Sequence, residues 1–187
     1  MSLGIQSERY EIGEVLGHGS FATVFRALDK KLGRNVAIKV IKQQHLKKEV
    51  VLERGKREFQ SCVALRHPHI IKALDFIDDK NCLAIVLEYI EAESIEDLLS
   101  AGPLPIDEAV EVALAVADAL AYLHQEGLLH RDIKPANVMR ESDGRVILMD
   151  FNLVYDTSMT ALTQTGFIVG TPMYLAPELL RGETYSE

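Results

Sequence analysis

The chain has 187 residues, 48% of them hydrophobic, and carries 20 Lys+Arg against 28 Asp+Glu for a net charge of −8. That hydrophobic share excludes a disordered chain or a polar repeat array, and the acidic balance argues against a nucleic-acid-binding face, because phosphate backbones call for concentrated positive charge. No apolar run reaches the length that spans a bilayer and the N-terminal stretch has no apolar targeting core, so the expectation is a soluble, cytoplasmic chain or the cytoplasmic part of a longer membrane-anchored protein.

From Tyr10 to Val40 the pattern is short and β-rich, predicting three strands: Tyr10 to Leu16, Ala22 to Leu28, and Asn35 to Val40 after the turn-like KKLGRN. Between Lys47 and Arg66 the residues are charged and helix-compatible, with Phe59, Cys62, Val63 and Leu65 on an apolar side and HPHI closing the run. Two further strands are predicted at Ile70 to Ile77 and Leu83 to Tyr89. Past GPLP, the residues Ile106, Val110, Ala113, Leu114, Ala117, Leu120 and Ala121 recur at helical spacing, and Gly127 follows as a C-terminal stop. An apolar stripe of this kind ordinarily faces a core. The fold class is therefore α+β, with a five-stranded antiparallel sheet and one helix over 1–91 and a helical part over 92–187. Cys62 and Cys82 lie in apolar segments without metal-ligand spacing and read as buried thiols of a reducing compartment.

The stretch HRDIKPAN, His130 to Asn137, and the DFN that follows at Asp150 to Asn152 carry the chemistry. Asp132 can take the proton of a hydroxyl nucleophile, Lys134 can reach a transferring phosphate, and Asn137 with Asp150 offers hard oxygens to Mg²⁺. Each residue type alone is common in turns; the ordered string after an apolar strand at Val146 to Met149 makes coincidence a poor account. LGHGSFATV, Leu16 to Val24, sets Gly17 and Gly19 where backbone amides can approach phosphates, with Ala22 at the third glycine position. VAIK sets Lys39 on an otherwise apolar strand, where it needs a counter-charge. Nucleotide phosphates supply one, and a helix glutamate another; Glu49, Glu53 and Glu58 all qualify, and spacing to HPHI favours Glu58.

These motifs, with the hinge-like VLEYI at Val86 to Ile90 and GTPMYLAPE at Gly170 to Glu178, resemble a eukaryotic-type (Hanks-type) serine/threonine protein kinase, similar to the bacterial receptor-like kinases. The resemblance runs from Tyr10 to the end. It implies a two-lobe fold, with Leu16, Gly17, Gly19, Val24, Ala37, Lys39, Leu87, Glu88, Ile90, Ser94 and Met139 around ATP. In it Leu87 is the gatekeeper, and the backbones of Glu88 and Ile90 bond adenine. It also implies Mg²⁺, or Mn²⁺ in its place, on Asn137 and Asp150, and a protein Ser/Thr hydroxyl as acceptor, with Thr171 bracing Asp132 and Lys134. Thr163 and Thr165 resemble autophosphorylation sites, and Arg131 is the partner for the added charge.

Two departures bear on activity. Asn152 stands where glycine normally follows Asp-Phe, and asparagine tolerates left-handed backbone better than other non-glycine residues. The chain also stops at Glu187, soon after APE, where the family's large lobe continues with further helices. The expectation is a truncated C-lobe whose apolar surface over 106–126 and 175–180 lacks part of its cover and is either an exposed apolar patch or met by a partner or a missing segment. The alternative to an active kinase is a nucleotide-binding regulatory or scaffold module with little activity. A small-molecule phosphotransferase is disfavoured by GTPMYLAPE.

Overall fold

The computed structural model describes residues 8–19, 22–42, 63–79, 82–130, 132–150, 172–174 and 177. The chain divides into two compact units, Met1–Arg66 with Lys72–Ile90 and His67–Ile71 with Glu91–Glu187. The helix predicted between Lys47 and Arg66 lies almost wholly outside the described residues.

In the first unit β1 (Tyr10–His18), β2 (Ala22–Asp29), β3 (Arg34–Ile41), β4 (Ala73–Asp79) and β5 (Cys82–Glu88) form one antiparallel sheet in the order β1-β2-β3-β5-β4. The five predicted strands are all present. One boundary needs correction: Ile70 and Ile71 are not part of β4, because Ile70 bridges Leu148 in parallel and the Ile71 N–H bonds the Leu148 carbonyl at 3.1 Å. Paired residues on adjacent strands share a face, and neighbours along a strand alternate. Phe25, Ala27, Val36, Ile38, Val40, Cys82, Ala84 and Val86 accordingly form one core face together with Tyr10. Val24, Ala37, Lys39 and Leu87 fall on the opposite face, through the pairs Val24 with Lys39 and Ala37 with Leu87.

Asp29 closes the β2–β3 connection. Its Oδ1 accepts the N–H groups of Lys31 and Leu32 at 3.0 and 3.2 Å, and Gly33 takes a positive φ of 63° that its missing side chain permits. The same carboxylate, 1% exposed, accepts the Arg9 guanidinium at 2.7 Å, and Arg9 in turn bonds Asp75. The Arg9 hydrogen bonds hold the Asp29 carboxyl below the usual carboxylate range. A folded-state value below the unfolded value of about 3.9 gives stability that is present above roughly pH 4 and is lost as pH falls through the folded value. Asp29→Asn is therefore expected to lower the urea midpoint at pH 7, with the gap to wild type narrowing towards pH 3. An equal gap at both pH values would show that the charge is immaterial.

In the second unit β6 (Ala92–Ser94), β7 (Val138–Glu141) and β8 (Val146–Leu148) form a small antiparallel sheet in that order. A short helix α1 (Ile95–Ala101), which hydrophobic spacing did not reveal, begins at the N-cap Ser94. The predicted long helix is α2 (Ile106–Gln125). It ends through Gly127 at φ 71°, with the Leu128 N–H bonded to the Leu123 carbonyl at 2.9 Å.

The predicted stripe of α2 is not its buried face. Ile106, Val110 and Leu114 are exposed, while Ala115, Ala119 and Leu123 are buried. α2 packs on β8, and two alanines on that seam let the backbones approach closely where larger side chains would hold them apart. Leu123→Ala is expected to cost about 2–5 kcal/mol, because it opens a cavity in the buried seam. Leu114→Ser should change stability by no more than about 0.5 kcal/mol, as surface substitutions do. Chemical denaturation of both variants checks this, and equal losses would contradict the assignment of faces.

Candidate active site

The loop after α2 folds on itself through its own polar side chains. Asp132 Oδ2 accepts both Lys134 Nζ and Asn137 Nδ2, each at 2.8 Å, and Asn137 Nδ2 also donates to the Asp132 carbonyl at 2.7 Å. Pro135 opens the single 3₁₀ turn Pro135–Asn137, which brings Asn137 back beneath Asp132. The consequence is an ordered carboxylate with unequal oxygens. Oδ2 is engaged twice, while Oδ1 has no hydrogen-bond partner among the described residues.

Asn137 is 5% exposed, and both hydrogens of its amide go to Asp132. Its Oδ1 is left without a partner among the described residues, an arrangement that costs about 1–3 kcal/mol unless something else binds the oxygen. Mg²⁺ prefers such hard oxygens, and the Asp150 carboxylate would add a charged one. Among the described residues no group of three or more His, Cys, Asp and Glu side chains could cage a metal ion by itself. Asn137 Oδ1 and the Asp150 carboxylate are oxygens of the kind that Mg²⁺ accepts alongside phosphate oxygens and water.

Asp150 follows β8 and adopts φ 57°, the left-handed region, at a cost of about 1–2 kcal/mol for a residue with a Cβ. Its approach is fixed on both sides. The Met149 N–H bonds the Asn137 carbonyl at 2.8 Å, and the Met149 carbonyl accepts from His130 Nε2 at 2.7 Å. His130 is 2% exposed, and its Nδ1 accepts the Asp132 N–H at 3.3 Å, which leaves the hydrogen on Nε2. One buried imidazole thus joins the Asp132 loop to the residue before Asp150. His130 opens the HRDIKPAN motif, and no local pattern in the sequence announces this role for it.

In the first unit, Val24, Ala37, Lys39 and Leu87 share the face opposite the core. Lys39 is half-buried between its pairing partners Val24 and Ile85. Gly17 pairs with Val24, and a Cβ built on it would meet no atom within 4 Å. Neither a positive φ nor packing among the described residues demands glycine there. Gly19 differs, since its Cβ would lie 3.3 Å from the Ala22 carbonyl oxygen, to which its own N–H bonds at 2.9 Å. Leu16 is exposed on β1. The Glu88 N–H is bonded to the Lys72 carbonyl at 2.9 Å. The backbone N–H and C=O of Ile90 have no partner among the described residues.

Ser94 has a structural role. Its Oγ accepts the Asp97 N–H at 3.0 Å and donates to Asp97 Oδ2 at 2.5 Å, capping α1. The spacing of Ser94 and Asp97, with an acid three residues after the serine, is a capping-box signal that could have revealed α1 from sequence. Met139 pairs with Ser94 across β6–β7 and is half-buried. Glu58, Arg131, Asn152, Thr163, Thr165 and Thr171 lie outside the described residues.

The protein kinase domain family model matches residues 10–187. The chain is 40% identical over 183 residues to a "Probable serine/threonine-protein kinase" of Streptomyces coelicolor, covering 94% of this chain and 27% of that protein. It is 36% identical over 184 residues to the serine/threonine-protein kinase PknB of Mycobacterium leprae, covering 95% and 30%. The crystal structure of the Mycobacterium tuberculosis PknI kinase domain is similar with a TM-score of 0.77 at 28% identity, over 100% of this chain and 71% of that one. The chain thus spans less than a third of the length of the curated relatives it matches. Its sheet, its Asp132 loop and its similarity from Tyr10 onward agree: the chain belongs to the protein kinase domain family, and to the serine/threonine kinases within it.

Proposed function

We propose that the chain transfers the γ-phosphate of ATP to Ser or Thr hydroxyls of proteins. In this reading residues 1–91 are the ATP-binding lobe and 92–187 carry the catalytic loop and activation segment. Leu16, Val24, Ala37, Leu87 and Met139 would give the purine an apolar setting, the backbones of Glu88 and Ile90 would bond its edge, and Ser94 would lie toward the sugar. Gly17 and Gly19 would admit phosphates close to the backbone. Lys39, paired with Glu58, would hold the α- and β-phosphates.

The observation that carries the reading is the asymmetry of Asp132. With Oδ2 pinned by Lys134 and Asn137, Oδ1, which has no hydrogen-bond partner among the described residues, is the natural acceptor for a substrate hydroxyl proton. The hydroxyl oxygen forms the new bond to the γ-phosphorus, and the bond to the β–γ bridging oxygen breaks. ADP leaves with that electron pair, and the hydroxyl proton passes to Asp132. Lys134 stabilises charge on the moving phosphoryl group. Asn137 Oδ1 and the Asp150 carboxylate would hold Mg²⁺, or Mn²⁺, which neutralises phosphate charge when bound.

Autophosphorylation at Thr163 and Thr165, with Arg131 pairing the added charge and Thr171 bracing the loop, belongs to the same proposal. So does a cytoplasmic setting; among the described residues no helix is long and apolar enough to cross a membrane. The exposed Ile106, Val110 and Leu114 suit a partner or a further segment of the protein. The test is incubation of the full chain with γ-labelled ATP and an acceptor protein, with and without EDTA. Label on the acceptor that EDTA abolishes supports the proposal. A melting temperature raised by Mg·ATP without transfer would make the chain a nucleotide-binding module instead.

A further inference from the structure

The strand that delivers Asp150 has two hydrogen-bonded neighbours among the described residues. One is β7, through the pairs Val138 with Leu148 and Arg140 with Val146. The other is the short stretch His67–Ile71, which belongs to this unit although the residues on both sides of it belong to the first. Leu148 is bracketed by that stretch: its N–H bonds the His69 carbonyl at 2.8 Å, and its carbonyl accepts the Ile71 N–H at 3.1 Å. Two residues earlier, His69 Nδ1 lies 2.8 Å from the Val146 carbonyl oxygen, so Nδ1 carries the hydrogen and donates it. His67 anchors the other end. Its Nδ1 accepts the His69 N–H at 3.2 Å, its Nε2 reaches Asp118 at 3.2 Å, and its ring stacks on Tyr122 with centroids 5.0 Å apart.

Asp118 and Tyr122 are on α2, the helix that leads into the Asp132 loop. β8 leads through Met149 into Asp150. The two histidines therefore grip the two elements whose ends carry Asp132, the proposed proton acceptor, and Asp150, the proposed metal-holding carboxylate. We infer that His67–Ile71 is a clamp that sets the position of Asp150, and that His69 is a positioning residue for it. The clamp acts at Val146 and Leu148, four and two residues before Asp150, and adds to the hold that Asn137 and His130 exert on Met149. The functional side of this inference rests on the proposed kinase reading.

The donor at position 69 can be kept or removed at nearly constant shape. Asparagine sets its Nδ2 the same number of bonds from the backbone as histidine Nδ1, whereas leucine fills similar space with no donor. In the full chain without nucleotide, His69→Leu is expected to speed amide exchange at Leu148 and Met149 about fivefold, the order expected for one lost hydrogen bond, with His69→Asn near wild type. With ATP present, electron paramagnetic resonance of Mn²⁺ should show about fivefold weaker metal binding in His69→Leu, and within twofold of wild type in His69→Asn. His69→Gln, whose amide sits one methylene further out, replaces a leucine variant that does not fold and carries the same expectation. Wild-type exchange and wild-type Mn²⁺ affinity in the donor-less variant would overturn the clamp. If the wild-type chain itself takes up no Mn²⁺ with ATP, the kinase reading fails, while the exchange arm still decides whether the clamp exists.

Discussion

Asp132→Ala is expected to reduce phosphate transfer about 10³-fold, within the 10²–10⁴ range of a lost general base, while leaving ATP affinity within about threefold of wild type. Two losses combine in it. The proposed proton acceptor is gone, and so is the side chain that Lys134 Nζ and Asn137 Nδ2 both bond. Asp132→Asn separates them, since it preserves the shape of the side chain but removes the charge. It should be as inactive as the alanine variant if proton acceptance dominates. Activity above a tenth of wild type in either variant would remove Asp132 from the mechanism. Steady-state kinetics alongside equilibrium nucleotide binding decide the matter.

Asp150→Gly should separate chemistry from stability. The carboxylate offered to metal is removed, so transfer at a fixed Mg²⁺ concentration is expected to fall about 10³-fold or more. The fold should not suffer in proportion. At φ 57° glycine is free of the roughly 1–2 kcal/mol that a Cβ costs, and this offsets the 0.4–1 kcal/mol of entropy that glycine adds to the unfolded chain. Both Asp150→Gly and Asp150→Ala lose the same side-chain interactions, so the alanine variant, which keeps the Cβ cost, is expected to be the less stable of the two. A glycine variant that melts well below the alanine variant would mean that the left-handed conformation at 150 is not under strain. Strain at Asp150 is the expected result if, as proposed, the residue holds a metal and its position matters more than local comfort.

The parts of this arrangement that were legible in the sequence are those written into short stretches of chain. Asp132, Lys134 and Asn137 lie within six residues, so a loop that closes on itself had to bring them together. Alternation set Lys39 on an otherwise apolar strand, whereas the face it shares with Val24, Ala37 and Leu87 follows from the strand register. What the sequence hid is long-range pairing. Ile70 and Ile71 read as the start of a strand because they are apolar and β-branched, yet their partner is Leu148. The bond from His69 to Val146 spans 77 residues, and that from His130 to Met149 spans 19. No local pattern announces either one. In α2 the periodicity revealed a stripe without revealing its cover. The largest side chains drew attention to Ile106, Val110 and Leu114, while the helix packs through Ala115, Ala119 and Leu123.

The central claim is that the ordered Asp132 side chain serves transfer to a hydroxyl on a protein. The most direct measurement follows the γ-phosphate of ATP after incubation with Mg²⁺, the full chain and an acceptor protein, and identifies its product by mass spectrometry. The account predicts phosphoserine or phosphothreonine on protein, in an amount that tracks the loss of ATP. ATP converted to ADP and free phosphate with no modified hydroxyl, or ATP left intact by a chain that binds it, would contradict the claim.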